Sequence, residues 1–277
     1  MIKRISILGA GLLGGSIALR VKSQLPEVEV ALWARRQQPL DIAKSLGISE
    51  VSTDLASIVK DADLIILATP VGVMGDMVEQ IIAARADEEF LITDVGSVKR
   101  LPHELIDSLL VDRKAHFIGS HPMAGSEKAG MEAAREDLVD GAACIITGEH
   151  PEKVELLSAF WKSLGCRTRH MTAEDHDYAV ARVSHFPHLL ASMGATVGLE
   201  YPDIGELAGG GLKDTTRVAS GDPELWSEIL LENRDAIQRT IAESISELAK
   251  IQEMLRINDE PEMLKYLIEA KKRRDQI

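Results

Sequence analysis

His121 is the side chain in this sequence best suited to proton transfer. It stands in the run Ser-His-Pro-Met-Ala-Gly-Ser (120–126), a loop directly after a predicted strand. An imidazole accepts a proton near neutral pH, for example from a hydroxyl that is being oxidised to a carbonyl. Ser97, in Asp-Val-Gly-Ser-Val-Lys (94–99), is a candidate to orient that imidazole by a hydrogen bond. The alternatives are a structural or solvated His121 and a Ser97 that caps the following helix.

A second group of polar residues lies in the C-terminal half. His185 and His188 occur in Ser-His-Phe-Pro-His (184–188), so they share one face of a helix. A metal site is one interpretation, but no H-E-x-x-H pattern accompanies the pair, and we favour the lining of a substrate pocket without a metal. Arg217 follows a run of three glycines and is a candidate to clamp a carboxylate, the alternative being an ion pair with a nearby acid.

A glycine pattern near the N-terminus predicts a dinucleotide site. Gly9, Gly11 and Gly14 have the G-x-G-x-x-G spacing, after an apolar run and before a helical one. The first glycine permits a tight turn, the second lets the backbone approach a pyrophosphate, and the third lets helix and strand pack closely. The phosphates would contact N–H groups at the helix start, where Leu12 and Leu13 stand. The alternative is a glycine turn without a ligand.

The end of the second predicted strand indicates the phosphorylated form of the cofactor. A NAD site usually has an acidic residue there, which contacts the ribose hydroxyls. This chain has Arg35 and Arg36 instead, and guanidinium groups pair with phosphate. We therefore predict NADP rather than NAD, the alternative being a solvated charge pair in a loop.

Apolar runs that alternate with helical patterns predict an α/β fold with a doubly wound parallel sheet, a Rossmann fold. Ligands bind outside the carboxyl ends of such strands, which would bring Thr69, Pro70, Ser97 and His121 to one crevice. The predicted strands lie at 5–8, 28–33, 63–68, 90–95, 116–119 and 142–147. From about residue 172 only helices follow, so we predict a dinucleotide-binding domain at 1–171 and an all-helical substrate and dimerisation domain at 172–277.

Two features of the helical half concern its packing. Pro187 is expected to kink the first long helix, predicted at 173–199. A helix is predicted at 223–254, and an apolar stripe with i, i+3, i+4 spacing begins within it at residue 237 and ends at residue 255. The stripe predicts a homodimer seam, the alternative being an ordinary core face. Its members are Ile237, Ile241, Ile245, Leu248, Ile251 and Leu255.

Composition limits the classes of partner. The chain has 277 residues, with 31 basic and 44 acidic side chains, a net charge of −13 and 4% aromatic residues, which argues against nucleic acid or an anionic membrane. Cys144 and Cys166 lack metal-site or redox spacing and are expected to be reduced core residues. Since no run is apolar enough for a membrane span or a signal peptide, we predict a cytoplasmic protein.

Taken together, the motifs resemble those of the prephenate/arogenate dehydrogenase family of tyrosine biosynthesis. The glycine pattern is common to many dehydrogenases, whereas the motifs that begin at residues 121, 184 and 213, in this order and spacing, are specific. The motifs that carry the resemblance lie at 9–16, 94–99, 121–126, 184–188 and 213–217, the last being Lys-Asp-Thr-Thr-Arg.

This resemblance implies a reaction. Prephenate would be oxidised and decarboxylated to 4-hydroxyphenylpyruvate, or arogenate to tyrosine, with hydride transfer to the nicotinamide. The resemblance also implies that His121 accepts the proton of the 4-hydroxyl and that Ser97 links His121 to the nicotinamide. Arg217 would hold a substrate carboxylate, and the residues implied to complete the pocket are His188, His185 and Ser126.

Two other functions account for fewer of these motifs. A β-hydroxyacid-type dehydrogenase usually employs a lysine on a helix of its second domain, so it does not account for the His121 motif. A non-catalytic NADP-binding regulator would need the glycine turn but neither His121 nor Arg217.

Overall fold

The computed structural model describes residues 2–85, 88–126 and 128–277. The chain divides into two compact units. Unit 1 comprises Met1–Val180 and Ser220–Glu232, and unit 2 comprises Ala181–Ala219 and Asn233–Ile277. Unit 1 is therefore assembled from two separate stretches of the chain.

Unit 1 contains all the strands of the described residues. The strands are β1 (Arg4–Leu8), β2 (Glu29–Trp33), β3 (Glu50–Ser52), β4 (Leu64–Leu67), β5 (Leu91–Asp94), β6 (His116–Phe117), β7 (Gly119–Pro122), β8 (Ala143–Thr147) and β9 (Arg167–His170). The helices of the chain are α1 (Leu12–Gln24), α2 (Gln37–Ser45), α3 (Leu55–Val59), α4 (Met74–Arg85), α5 (Arg100–Ile106), α6 (Pro151–Ser163), α7 (Ala173–Val180), α8 (Phe186–Gly198), α9 (Pro202–Gly205), α10 (Gly210–Thr216), α11 (Pro223–Glu232), α12 (Arg234–Arg256) and α13 (Glu260–Arg274).

The main sheet of unit 1 is parallel and has the strand order β3-β2-β1-β4-β5-β6. Alternate residues of β4 pack into different cores: Leu64 and Ile66 belong to one apolar cluster, and Ile65 and Leu67 belong to the other. A strand buried on both faces needs apolar residues at every position, which is why the sequence shows continuous apolar runs. The predicted doubly wound sheet is confirmed.

A second sheet was not predicted. Strands β7, β8 and β9 form a separate three-stranded sheet, in which β7 runs antiparallel to β8 and β8 runs parallel to β9. We expected residues 142–147 in the main sheet and His121 on a loop, and both expectations were wrong. His121 lies within β7, opposite Ile145. The sequence Gly-Ser-His-Pro of β7 has no apolar run, so the hydrophobic pattern gave no sign of this strand.

Only helices follow β9 in the described residues, as predicted, and unit 2 is built from them. Pro187 lies in the first turn of α8, directly after a π-helical segment, Ala181–His185. Proline lacks the N–H needed for a regular helical turn, so an irregular segment at this point is expected. The helix predicted at 223–254 is instead two helices, α11 and α12, because Asn233 leaves helical geometry between them (φ −104°, ψ 23°).

Several apolar side chains of unit 2 are exposed. In the predicted stripe on α12, Ile237 is buried, whereas Ile245, Leu248 and Leu255 are 61%, 53% and 67% exposed. Among the helices of the described ranges, none combines the length and the hydropathy needed to cross a membrane.

Candidate active site

The glycine turn between β1 and α1 has two crowded positions and one open position. Gly9 has a φ of +127°, and a Cβ there would lie 2.2 Å from the carbonyl oxygen of Ala68. A Cβ at Gly14 would lie 2.0 Å from the carbonyl oxygen of Gly9. A Cβ at Gly11 would meet no described atom within 4 Å. The fold thus requires the first and third glycines, and the second leaves a stretch of backbone accessible to a ligand.

The start of α1 fits an anion. Within the described residues, no side chain caps the helix at Gly11, and the first turn contains no acidic residue. The first N–H groups of a helix lack partners within the helix and carry partial positive charge. Together with the open backbone at Gly11, this arrangement suits the pyrophosphate of a dinucleotide.

Several predicted cofactor residues follow strands at the same edge of the main sheet. Arg35 and Arg36 come after β2 and are exposed, and neither forms a salt bridge with another residue that the structure describes. Thr69 comes after β4 and donates a hydrogen bond to the sulfur of Met77 at 3.3 Å, and the neighbouring Pro70 is exposed. Because the strands are parallel, their carboxyl ends share one edge with the glycine turn.

A buried ion pair holds the turn that contains Ser97. The ammonium of Lys99 contacts the carboxylate of Asp94, the last residue of β5, and both side chains are fully buried. The same ammonium donates to the carbonyl oxygens of Gly96 at 3.0 Å and Val98 at 2.9 Å. All three ammonium donors are therefore used inside one short turn, and they fix the backbone on both sides of Ser97.

Asp94 also anchors the strand that carries His121. The backbone N–H of Ser120 donates to Asp94 Oδ1 at 3.2 Å, and the Ser120 hydroxyl donates to the carbonyl oxygen of Asp94 at 2.6 Å. Ser97 and His121 are thus positioned by bonds that share one aspartate.

His121 belongs to a buried chain of hydrogen bonds. Its Nδ1 lies 2.8 Å from Nε2 of His176, and Nδ1 of His176 lies 2.7 Å from Oδ1 of Asp177. Asp177 accepts from the backbone N–H groups of Lys99 at 2.7 Å and Arg100 at 3.0 Å. The three linked side chains are 7%, 0% and 3% exposed. Asp177, rather than Ser97, therefore caps the start of α5.

His176 and Asp177 were not among the site residues predicted from the sequence. The available signal was the adjacent His–Asp pair in the first turns of α7, since two polar residues of this kind are rarely both buried without a specific role. Burial lowers the pKa of His176, and its bond to Asp177 opposes that shift.

Glu232, at the end of α11, was also missed. Burial is the main cause that raises its pKa to about 7, and the negative charge of Glu228 acts in the same direction. The charges of Lys99 and Asp177 also act on Glu232, with opposite signs. A carboxyl group that titrates near neutral pH thus stands within the field of the same cluster.

The predicted substrate residues of unit 2 divide into two environments. His188 is buried and has the backbone of Val218 within hydrogen-bonding reach, while burial lowers its pKa. Arg217, the neighbour of Val218, is exposed and forms no salt bridge with any described side chain. His185 is buried, and its Nδ1 lies 3.0 Å from the amide nitrogen of Asn233. His188 and Arg217 are therefore brought together within unit 2, and a pocket shared by Arg217 and His121 stays a prediction.

Two further features of unit 1 are the exposed Ser126 and a groove lined by histidines. Ser126 is exposed, and its hydroxyl accepts from the N–H of Lys128 at 3.1 Å. A groove of about 1220 Å³ is lined by residues that include four histidines and none of the predicted site residues. These histidines are His103, His116, His150 and His170. Across the described part of the chain, no three His, Cys, Asp or Glu side chains are arranged to hold a metal ion.

Comparison with known families covers most of the chain. Residues 17–170 match the family model described as prephenate dehydrogenase, nucleotide-binding domain. Residues 172–269 match the model described as prephenate dehydrogenase, dimerization domain.

Individual relatives give the same result. The chain is 40% identical to the prephenate dehydrogenase of Lactococcus lactis, over 83% of this chain and 65% of that protein. It is 37% identical to the prephenate dehydrogenase of Bacillus subtilis, over 98% of this chain and 75% of that protein. Among solved structures, the prephenate dehydrogenase of Aquifex aeolicus in complex with hydroxyphenyl propionate and NAD+ superposes with a TM-score of 0.91 at 29% identity, covering 100% of this chain and 98% of that one.

Proposed function

The chain belongs to the prephenate dehydrogenase family and is a nicotinamide-dependent oxidoreductase, and we propose that its substrate is prephenate. The product would be 4-hydroxyphenylpyruvate. The observation that carries the proposal is the buried His121, held on β7 beside the Ser97 turn in the same unit as the glycine turn. An imidazole in this setting is suited to remove the proton of a hydroxyl group.

The cofactor would be held along the carboxyl edge of the main sheet. The open backbone at Gly11 and the N–H groups at the start of α1, from Leu12 to Gly14, would contact the pyrophosphate. When bound, the nicotinamide supplies the acceptor for a hydride from carbon 4 of the substrate. Thr69, Pro70 and Ser97 follow β4 and β5 and would lie toward the nicotinamide end.

We further propose NADP over NAD. Arg35 and Arg36 are exposed at the end of β2 without a salt bridge to described residues, so their guanidinium groups are available to a 2′-phosphate. The test is the double variant R35A/R36A. It should weaken NADP binding selectively, and an equal loss of NAD binding would contradict the assignment.

His121 would carry the proton transfer. As the hydride leaves carbon 4, the 4-hydroxyl proton passes to His121, and the bond between carbon 1 and the carboxylate breaks to release carbon dioxide. The electron pair of that bond completes the aromatic ring as a phenolate, and the phenolate oxygen takes the proton back from His121 to give 4-hydroxyphenylpyruvate. Ser97 would link His121 to the nicotinamide end of the site.

Arg217 would hold a carboxylate of the dianionic substrate. A protein with a net charge of −13 needs a local cation for such a ligand, and Arg217 is exposed and has no salt bridge with described residues. His188 is close to the same turn, and we assign it, together with His185 and Ser126, to the lining of the substrate pocket.

A homodimer through the helical part is the proposed assembly. The match of residues 172–269 to the dimerization domain and the exposed Ile245, Leu248 and Leu255 on α12 support it. The first family model ends at residue 170 and the second begins at residue 172, which supports a domain division at 1–171 and 172–277. A cytoplasmic location stays a prediction.

The function is tested by following reduced nicotinamide with prephenate or arogenate, each with NADP and NAD. Reduction with prephenate is expected. Reduction with arogenate alone would assign the alternative substrate, and none with either would reject the proposal.

Two variants then test the residues. H121N should lower kcat by roughly 10²- to 10⁴-fold, whereas R217A should chiefly raise KM. The exposed His170 and Arg256 provide the matched controls H170N and R256A, which should change neither quantity. An active H121N enzyme would exclude His121 as the base.

A further inference from the structure

We propose that His176 and Asp177 are positioning residues that fix the proton of His121 on Nδ1 and so make Nε2 the base. The inference rests on the proposed function, because it explains how His121 comes to accept a proton from the substrate. It derives from the bonds that link the three side chains, which the sequence motifs did not indicate.

The direction of every bond follows from the Asp177 end. A backbone N–H can only donate, so Asp177 Oδ1 accepts from Lys99 and Oδ2 accepts from Arg100. The contact of 2.7 Å between Oδ1 and Nδ1 of His176 therefore has His176 as its donor. His176 carries its proton on Nδ1, because an aspartate that accepts at both oxygens offers no proton in return.

The next bond then has one possible direction. Nε2 of a neutral His176 has a lone pair and no proton, so the 2.8 Å contact requires His121 to donate from Nδ1. A neutral His121 that is protonated on Nδ1 has its lone pair on Nε2. The carboxylate of Asp177 thus determines the tautomer of His121 through His176.

This arrangement of protons requires a neutral His176. Burial lowers its pKa and so disfavours the imidazolium form. Among the described residues, the ionisable groups that contact His176 or act on its charge are His121 on β7, Asp177 on its own helix, and Asp94 and Lys99 at the β5–α5 turn. Glu232 of α11 interacts electrostatically with Lys99 and Asp177. Lys99 lowers the pKa of His176, while Asp177 and Asp94 raise it.

Protonation of His121 by the substrate strengthens its hydrogen bond to His176. When Nε2 of His121 accepts the substrate proton, the ring becomes an imidazolium, and its Nδ1–H bond to His176 becomes charge-assisted. Asp177 then stabilises the positive charge through His176 without taking a proton, as the aspartate of a serine-protease triad does. His176 is a positioning residue because it acts through His121.

Two substitutions at His176 separate this role from general packing. H176M removes the acceptor, and it should lower kcat by roughly 10²-fold or more while KM changes little. It should also move the acid limb of the pH profile of kcat/KM to lower pH. The imidazolium of His121 loses its hydrogen-bond acceptor, and this lowers the pKa of His121. H176Q should retain most of kcat, since its amide oxygen can accept from His121 and its amide nitrogen can donate to Asp177.

The same two measurements, kcat and the acid limb, apply to the control variant and identify the results that would contradict the proposal. H170M, at an exposed histidine of β9, should behave as wild type in both kcat and the acid limb. If H176M and H176Q lower kcat equally and leave the acid limb in place, the effect is one of packing and the proposal is wrong. If both variants match the wild type, it is also wrong.

Imidazole ¹⁵N NMR of the substrate-free protein gives a readout that does not depend on activity. His121 and His176 should both be protonated on Nδ1, with signals assigned by their loss in H121N and H176Q. A His121 protonated on Nε2 in an active enzyme overturns this inference and leaves the proposed function standing. If both rings are protonated on Nδ1 but the enzyme is inactive with prephenate and with arogenate, the proposed function is rejected instead. If H176M does not fold, the ¹⁵N spectrum and the activity of H176Q still test the positioning role of His176.

Discussion

Replacement of Lys99 by Met should destabilise the protein by about 3–5 kcal/mol, because it leaves an uncompensated buried charge. Lys99 and Asp94 are both fully buried, and the ammonium also donates to the carbonyl oxygens of Gly96 and Val98. In K99M the Asp94 carboxylate keeps backbone donors from Gly96 and Ser120 but loses its cation. Met fills much of the same volume, so the loss reports the charge rather than a cavity.

The assay is thermal and urea unfolding at one fixed protein concentration, since association shifts apparent stability. For a chain of this size, a loss of about 4 kcal/mol corresponds to a fall of roughly 10 °C in Tm. The matched control is K250M, which breaks a Lys–Glu contact of 2.6 Å on the exposed face of α12 and should cost no more than about 0.5 kcal/mol.

A second substitution isolates the pair. D94N/K99M removes both charges, so it should be less destabilised than the sum of the single variants. If K99M costs no more than K250M, the reasoning from the buried ion pair is refuted.

G14A should cost roughly 1–3 kcal/mol, because the added Cβ overlaps the Gly9 carbonyl oxygen, whereas G11A points into open space and should leave Tm unchanged while weakening dinucleotide binding. Thermal unfolding and cofactor titration distinguish the two, and equal Tm losses would contradict the geometry. Glu232 has a pKa of about 7 in the folded protein, raised from 4.5. As the pH rises, the unfolded chain therefore loses this proton before the folded protein does, and the free energy of unfolding should fall between about pH 4.5 and pH 7. The free energy of unfolding of E232Q should therefore exceed that of the wild type by at most about 3 kcal/mol at high pH and by little at low pH. Solvent screening of this partly exposed carboxyl group reduces the difference. E224Q, on the exposed side of α11, is the control, and a pH-independent difference would count against burial as the cause.

The main sheet could be predicted from the sequence because its strands are buried on both faces. Leu64 to Leu67 face two cores in turn, which leaves a run of apolar letters that reads directly as a central parallel strand. The glycine turn was predictable for a similar reason, since Gly9 and Gly14 are required by local backbone geometry. Both features leave a signal within a short stretch of sequence, although the carbonyl oxygen that crowds Gly9 belongs to Ala68, 59 positions further along the chain.

The partners of His121 depend on residues far apart in the chain. His176 lies 55 positions after His121, and it reaches that ring because α7 packs against the β5–α5 turn, where Asp177 caps the helix. No local pattern encodes this packing. The strand β7 was missed because Gly119 to Pro122 have neither alternation nor an apolar run. Local physics therefore defined the cofactor edge, whereas the tertiary fold defined the surroundings of the base.

The two-part construction of unit 1 has a consequence for how the protein is made. Helix α11, with Glu232 at its end, is supplied to this unit after the chain has contributed residues 181–219 to the other one. A ribosome must therefore translate beyond residue 232 before the nucleotide-binding unit has all its parts. A fragment cut at the end of α7 would lack that helix, so dissection of the gene at this point would yield a less stable product than the intact protein.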